Sequence, residues 1–216
     1  SEMCIRDSKR IPYEVIWGQP ENVLEEMKIE PPKPILLPVF ILDRDGQATA
    51  VTDSTPLIRE FEEKYPDRSV LPKDPALNFI NYVLEDFGDE WCTKFMFHYR
   101  WYFDEDADNA GTILPLGINN VLKDDELAFF KEHFAKRQID RLWVVGSNDD
   151  TAEFIDKSYK NVLSIFEEHF KKHPFLLGNF PSSCDFSVYG QFTQLVGFDP
   201  TPRTVSYTHL TLPTIE

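Results

Sequence analysis

Between Tyr65 and Ala76 the chain reads PDRSVLPKDP. Three prolines and a run of charged and polar side chains leave this stretch no face to bury, and each proline removes a backbone donor. It divides the sequence into two parts with different hydrophobic periods, and residues 67–74 are read as a linker. Upstream the pattern is mixed. Tyr13–Trp17 reads as a short strand, 21–28 as a short helix, and PPKP as a stiff extended connector. Residues 35–42, ILLPVFIL, read as an apolar strand, turned by DRDGQ into the return strand ATAV, with Asp-Gly as the hairpin signal. DSTPLIREFEEKY follows as an amphipathic helix with Leu57, Ile58 and Phe61 on one face.

Downstream the pattern is helical throughout. Residues 76–101 read as one long aromatic-rich helix weakened at Gly88, DEDADN as a solvated loop, and NAGTILPLG as a break. Residues 126–143 and 151–173 read as further helices, HPFLLGNFP as a buried connector, and 182–196 as a last apolar helix.

The two ends read differently again. SEMCIRDS lacks the basic start, apolar stretch and cleavage site of a secretory signal, and has no helical or strand period. VSYTHLTLPTIE has the same character. Both resemble translations of the adapter DNA used in transposase-based sequencing. On that reading residues 1–8 and 204–216 stand outside the fold, and Lys9–Arg203 is a fragment of a longer chain.

An apolar content of 42% is enough for a packed core. No apolar run approaches the ~20 residues that span a bilayer. The formal net charge is −15, or about −13 without the two ends, and no Lys/Arg-rich stretch offsets it. Nucleic acid and anionic membranes are therefore not expected as partners. Outside the ends only Cys92 and Cys184 remain, without metal-type spacing, which fits a reduced cytoplasmic protein. His169 and His173 stand four apart on one helix, but no third ligand accompanies them, so no metal is expected.

Three stretches carry chemistry. Pro38 interrupts a strand, which suits either an edge-strand proline or a cis Leu37–Pro38 bond that turns the Leu37 backbone toward a ligand. Asp53 and Ser54 stand at the start of a helix, where free N–H groups favour an anion and the Ser54 hydroxyl adds a donor; plain capping is the simpler reading. Ser182 and Asp185 have the spacing of a capping box, with Phe180 or Pro181 and Phe186 placed for a hydrophobic staple.

In this order, across nearly all of 9–203, these stretches resemble the glutathione transferase superfamily. The resemblance implies an α/β thioredoxin-like N-terminal domain at 9–66, incomplete because it lacks its first strand and helix, followed by an all-α domain at 75–203. It implies that the Leu37 backbone, beside Pro38, bonds the cysteinyl part of glutathione, and that Asp53 and Ser54 hold its γ-glutamyl end. Asp53 departs from the Glu or Gln more usual there. Glutathione is then a co-substrate, and the intact protein conjugates its thiolate to a small electrophile. A glutathionyl or thiol-disulfide reductase and a non-catalytic binding module are the alternatives. A homodimer of the intact form is compatible with the resemblance. The activating Tyr, Ser or Cys is expected upstream of Lys9, which leaves 9–203 inactive by itself. His98, Tyr99, Arg100 and Trp101 fall on the helix that lines the electrophile cleft in the family, although aromatic residues at helical spacing more often pack in a core.

Overall fold

The computed structural model describes residues 2–210. The chain divides into two compact units, Ser1–Leu71 and Pro72–Glu216.

The first unit holds α1 (Glu2–Ser8), α2 (Pro20–Met27), β1 (Phe40–Arg44), β2 (Gln47–Val51) and α3 (Ser54–Lys64). β1 and β2 form an antiparallel hairpin with Phe40 opposite Val51 and Arg44 opposite Gln47. The turn at Asp45 and Gly46 needs positive φ at both positions, 55° and 82°, and the Asp43 carboxylate accepts the Gly46 N–H at 2.8 Å. Alternation along the hairpin and the 3.6-residue period of α3 converge on one core. Leu57 and Phe61 pack with Ile11, Phe40, Leu42 and Val51, and the Phe40 and Phe61 rings meet edge-on at 5.9 Å.

Two strand expectations fail here. Residues 35–39 are not strand, and pairing begins only at Phe40, because Pro34 and Pro38 have no N–H to offer a ladder. Tyr13–Trp17 has strand-like composition but forms no regular element, and Trp17 is left 89% exposed. The N-terminal stretch, which shows no helical period in the sequence, is nonetheless regular. Residues 2–8 are helical, Ile5 is fully buried, and α1 packs against α3. One apolar anchor is enough to dock so short a helix, and periodicity cannot register it. Beside it, the Lys9 ammonium meets the Glu62 carboxylate at 2.7 Å, and Arg68 donates to the Ser8 carbonyl at 2.7 Å.

The second unit is helical: α4 (Pro75–Asp86), α5 (Thr93–Tyr102), α6 (Asp104–Ile118), α7 (Asp124–Ile139), α8 (Ala152–Phe170), α9 (Ser183–Gly197) and α10 (Pro200–His209). A π-helical turn, Phe87–Cys92, joins α4 to α5, so the long helix expected over 76–101 is continuous but under-wound at Gly88. The reason is contact. A Cβ on Gly88 would lie 2.2 Å from the Ser187 hydroxyl and 2.8 Å from the Val188 amide nitrogen of α9.

The expected loop DEDADN and break NAGTILPLG are both helix, within α6. Asp104, Glu105 and Asp106 occupy its first turn, where the helix dipole favours negative charge. Pro115 lies inside α6, three residues from its C-terminal end. The connector before α9 is only half-buried, and Phe180 is 80% exposed. α10 runs through Thr204–His209, which had been set outside the fold, and Ser206 there is fully buried. The rest of that C-terminal stretch, 211–216, lies outside the described residues. None of the described helices is long and apolar enough to cross a membrane.

Cys92, Phe95, Tyr99, Ile155, Tyr159, Leu163 and Leu195 form the main core of this unit. Substituting Gly88→Ala should force α9 away from the π-helical turn. We expect a loss of about 1–3 kcal/mol, typical of an overpacked core, read as a lowered midpoint in urea unfolding followed by circular dichroism.

Candidate functional site

In the first unit, the Thr52 hydroxyl donates to the Leu36 carbonyl at 2.9 Å. That bond ties the segment before β1 to the segment after β2. It brings the Leu37–Pro38 peptide, which is cis, beside the Asp53–Ser54 entrance of α3. Leu37 is 77% exposed. Asp53 has a φ of 81°, unusual for a residue with a Cβ, and its carboxylate accepts the Thr55 N–H at 3.3 Å as the helix cap. Thr52, which makes the bond that joins the two segments, carries no sequence signal; only the fold shows its part.

Leu37 and Pro38 also line a cleft of about 500 Å³ in the same unit. Its walls are mostly apolar, with Ile11, Val15, Ile16, Phe40 and Leu42 among them, and Arg6, Glu14 and Lys64 as the charged groups. Of the expected glutathione contacts, Leu37 and Pro38 line this cleft and Asp53 and Ser54 do not; the Thr52–Leu36 bond joins the two segments that carry them.

The second group of candidates lies differently. His98 and Tyr99 are fully buried, and Trp101 and Arg100 nearly so. As placed, none of the four offers a surface to a small molecule. Each has a structural partner. The Tyr99 hydroxyl donates to Asp156 at 2.6 Å, and Lys160 holds the same carboxylate at 2.6 Å. Burial raises the Tyr99 pKa, and the bond to Asp156 raises it further. Burial also acts to raise Asp156, but the bonds from Lys160 and Tyr99 outweigh it and keep the carboxyl ionised. The Arg100 guanidinium grips Asp199 through both carboxylate oxygens at 2.9–3.1 Å and reaches Gln194 at 2.9 Å. Trp101 stacks edge-on against Phe134 of α7 at 5.7 Å. The partners Asp156 and Asp199 were not singled out from the sequence, because pairs 57 and 99 residues apart leave no local pattern.

His98 Nδ1 is 2.7 Å from the Ser147 hydroxyl, its ring stacks on Tyr102 at 4.7 Å, and Nε2 has no partner. Burial holds its pKa down to about 4, only partly opposed by Asp156. Cys92 and Cys184 are fully buried, and burial pushes both thiols up to about 12, so neither is a thiolate at neutral pH. His169 Nε2 lies 3.1 Å from the Phe175 carbonyl, occupied by the chain itself. Among the described residues no cluster of three or more His, Cys, Asp or Glu is placed to hold a metal. At the start of α9 the capping box is formed. Asp185 accepts the Ser182 N–H and the Leu176 N–H, each at 2.8 Å, and so fixes the connector onto the helix.

A small hairpin unit with a ligand-sized cleft, followed by a helical unit, is the arrangement of a glutathione transferase-like fold. Solved structures agree. The chain is similar to a glutathione S-transferase from Rhodospirillum rubrum F11, with a TM-score of 0.53 and 15% identity, over 97% of this chain and 81% of that one. It is similar to FzlA from C. crescentus, with a TM-score of 0.52 and 16% identity, over 94% of this chain and 78% of that one. No protein-family description matches the sequence, and no curated protein matches it. At these identities the likeness establishes the fold, a thioredoxin-like unit followed by a helical one.

The lowered pKa of His98 has a direction in stability. The unfolded chain takes up a proton near pH 6.5, the folded one only near pH 4, so stability should fall as pH drops through that window. The loss should be on the order of 3 kcal/mol. His98→Asn, which keeps a partner for Ser147 but does not titrate, should flatten that part of the profile when urea unfolding is repeated from pH 7 to pH 4.

Proposed function

We propose that the first unit binds glutathione and that the intact protein conjugates its thiolate to a small electrophile in the cytoplasm. The observation that supports this reading is the Thr52–Leu36 bond, which ties the segment carrying Leu37 to the segment that leads into Asp53 and Ser54 at the N-terminus of α3. Glutathione is a peptide with one cysteinyl amide unit and a γ-glutamyl end that bears both an ammonium and a carboxylate. The Leu37 N–H and C=O are suited to the amide unit in the manner of one strand beside another. Asp53 is suited to the ammonium. The Ser54 hydroxyl is suited to the carboxylate, which the positive end of the α3 dipole also favours. A shorter acid at position 53 reaches less far than Glu would, so Ser54 carries more of the recognition.

The likeness of fold to a glutathione S-transferase supports this reading. Burial makes the Cys92 and Cys184 thiols poor nucleophiles, which supports a reading in which the thiolate is glutathione's own. Dimerisation of the intact protein is part of the proposal.

Calorimetric titration with glutathione tests the reading directly. The chain should bind it, and Ser54→Ala should weaken binding about tenfold, the loss of one hydrogen bond to a charged group. Asp53→Ala should weaken it less. Heat of binding that is absent at millimolar glutathione, or unchanged in Ser54→Ala, would refute the assignment.

A further inference from the structure

β1 has one strand beside it and room for another. It pairs with β2 alone, so every second residue of β1 turns its N–H and C=O away from the hairpin. Among the described residues no other backbone group bonds that outer edge. An open apolar edge is a template for a further strand. The cleft that Leu37 and Pro38 line runs along it. Phe40 and Leu42 pack in the core with Phe61, and Ile41 between them belongs to the other face, yet all three line the cleft. Successive side chains alternate between the two faces of a sheet, so a cleft that touches all three lies at the edge. Another wall is residues 12–16, again consecutive. This stretch has the composition of a strand and no regular structure, and among the described residues its backbone bonds no other backbone group. Two lengths of chain with unused donors and acceptors therefore border one apolar space.

The chemistry of that space selects its occupant. Tyr13, Val15, Ile16 and Met27 on its walls are each about half exposed, so apolar surface there is still in water. The charges at the cleft cancel. Lys64 and Glu14 have opposite signs, and Arg6 is held by Asp7 at 2.7 Å. The lining thus offers no net charge to an anion such as a fatty-acid carboxylate. An alkyl chain would also cover the N–H and C=O groups of the edge without pairing them, which costs free energy. An uncharged extended peptide meets both demands, because its side chains cover the apolar walls while its backbone pairs with the edge. We infer that this cleft is a strand-docking slot, in which an extended apolar segment of a partner polypeptide pairs with the free edge of β1 on one side and with residues 12–16 on the other. The five residues of β1 set the docked length at about five or six residues. The inference does not rest on glutathione binding, and the two can fail separately.

Titration of the full chain with an end-blocked octapeptide of alternating valine and threonine tests it. Trp17, 89% exposed beside the slot, is the one tryptophan of the first unit, and its emission should move to shorter wavelength as the peptide docks. Hydrogen exchange at the outward amides of β1 should slow at least tenfold. The same peptide N-methylated at every second residue keeps its side chains but loses the donors of one edge. It should bind at least tenfold more weakly, because the slot uses both edges. Val15→Asp should weaken binding about tenfold, with the far-ultraviolet circular dichroism unchanged because the side chain is half exposed. No binding at millimolar peptide, equal binding of the methylated peptide, or unchanged exchange at β1 each overturns the inference. Binding of dodecanoate in place of the peptide overturns it too and makes the cleft a small-molecule site. Calorimetry with glutathione on the same samples reads the other site independently.

Discussion

The helical unit depends on a polar clamp where an apolar seam would be expected. Asn81, Glu85 and Ser183 interlock between α4 and α9, and Gly88 lets the backbones approach more closely than any side chain would permit. Buried polar groups cost free energy unless each finds its partner, so such a contact admits one register and penalises the others. The under-wound turn at Phe87–Cys92 follows from that contact, because the helix must shift to seat Gly88 against Ser187 and Val188. Beyond the shift, α5 presents Phe95 and Tyr99 to the main core and Trp101 to the layer formed with α6 and α7. The same clamp turns the apolar face of α4 outward.

Around α5 the interior holds more charge than a core of this size normally does. Asp156, with Lys160, takes the Tyr99 hydroxyl, and Asp199 takes Arg100. Asp106, fully buried in the first turn of α6, accepts the Thr201 N–H at 2.9 Å and thereby caps α10. Burial raises the pKa of Asp106, and it raises that of Asp199 against the pull of Arg100. These bonds join α5, α6, α8 and α10 through side chains distant in sequence. They explain why FHYRW, which the sequence leaves between a cleft lining and the commoner packed core, works as a framework. Aromatic and basic residues on successive faces of one helix suit a cleft and a polar core equally well until the neighbouring helices are in place.

The hairpin unit shows how far local rules extend. Asp-Gly with positive φ at both turn positions, the period-two strands beside it, and Leu57, Ile58 and Phe61 on one face of α3 were all legible, because each is decided by residues within a few positions of one another. The same rules misread Tyr13–Trp17, whose composition favours a strand but which pairs with no other strand in the structure. They also misread DEDADNAGTILPLG, where an acidic first turn and a late proline resemble a loop if the dipole and the C-terminal position are not weighed.

By itself the sequence determined the split into a mixed unit and a helical one, the hairpin, the faces of α3, and the capping box at Ser182 and Asp185. All of these rest on period, turn chemistry and helix-end chemistry, which act over a few residues. Only the tertiary structure decided that Thr52 would draw Leu37 beside Asp53, that His98 to Trp101 would be interior, and that α4 would bury Asn81 and Glu85 while exposing Phe79 and Val83. Those outcomes depend on partners 16 to 102 positions away, and a side chain's partner at that distance is set by packing and not by its neighbours in the chain.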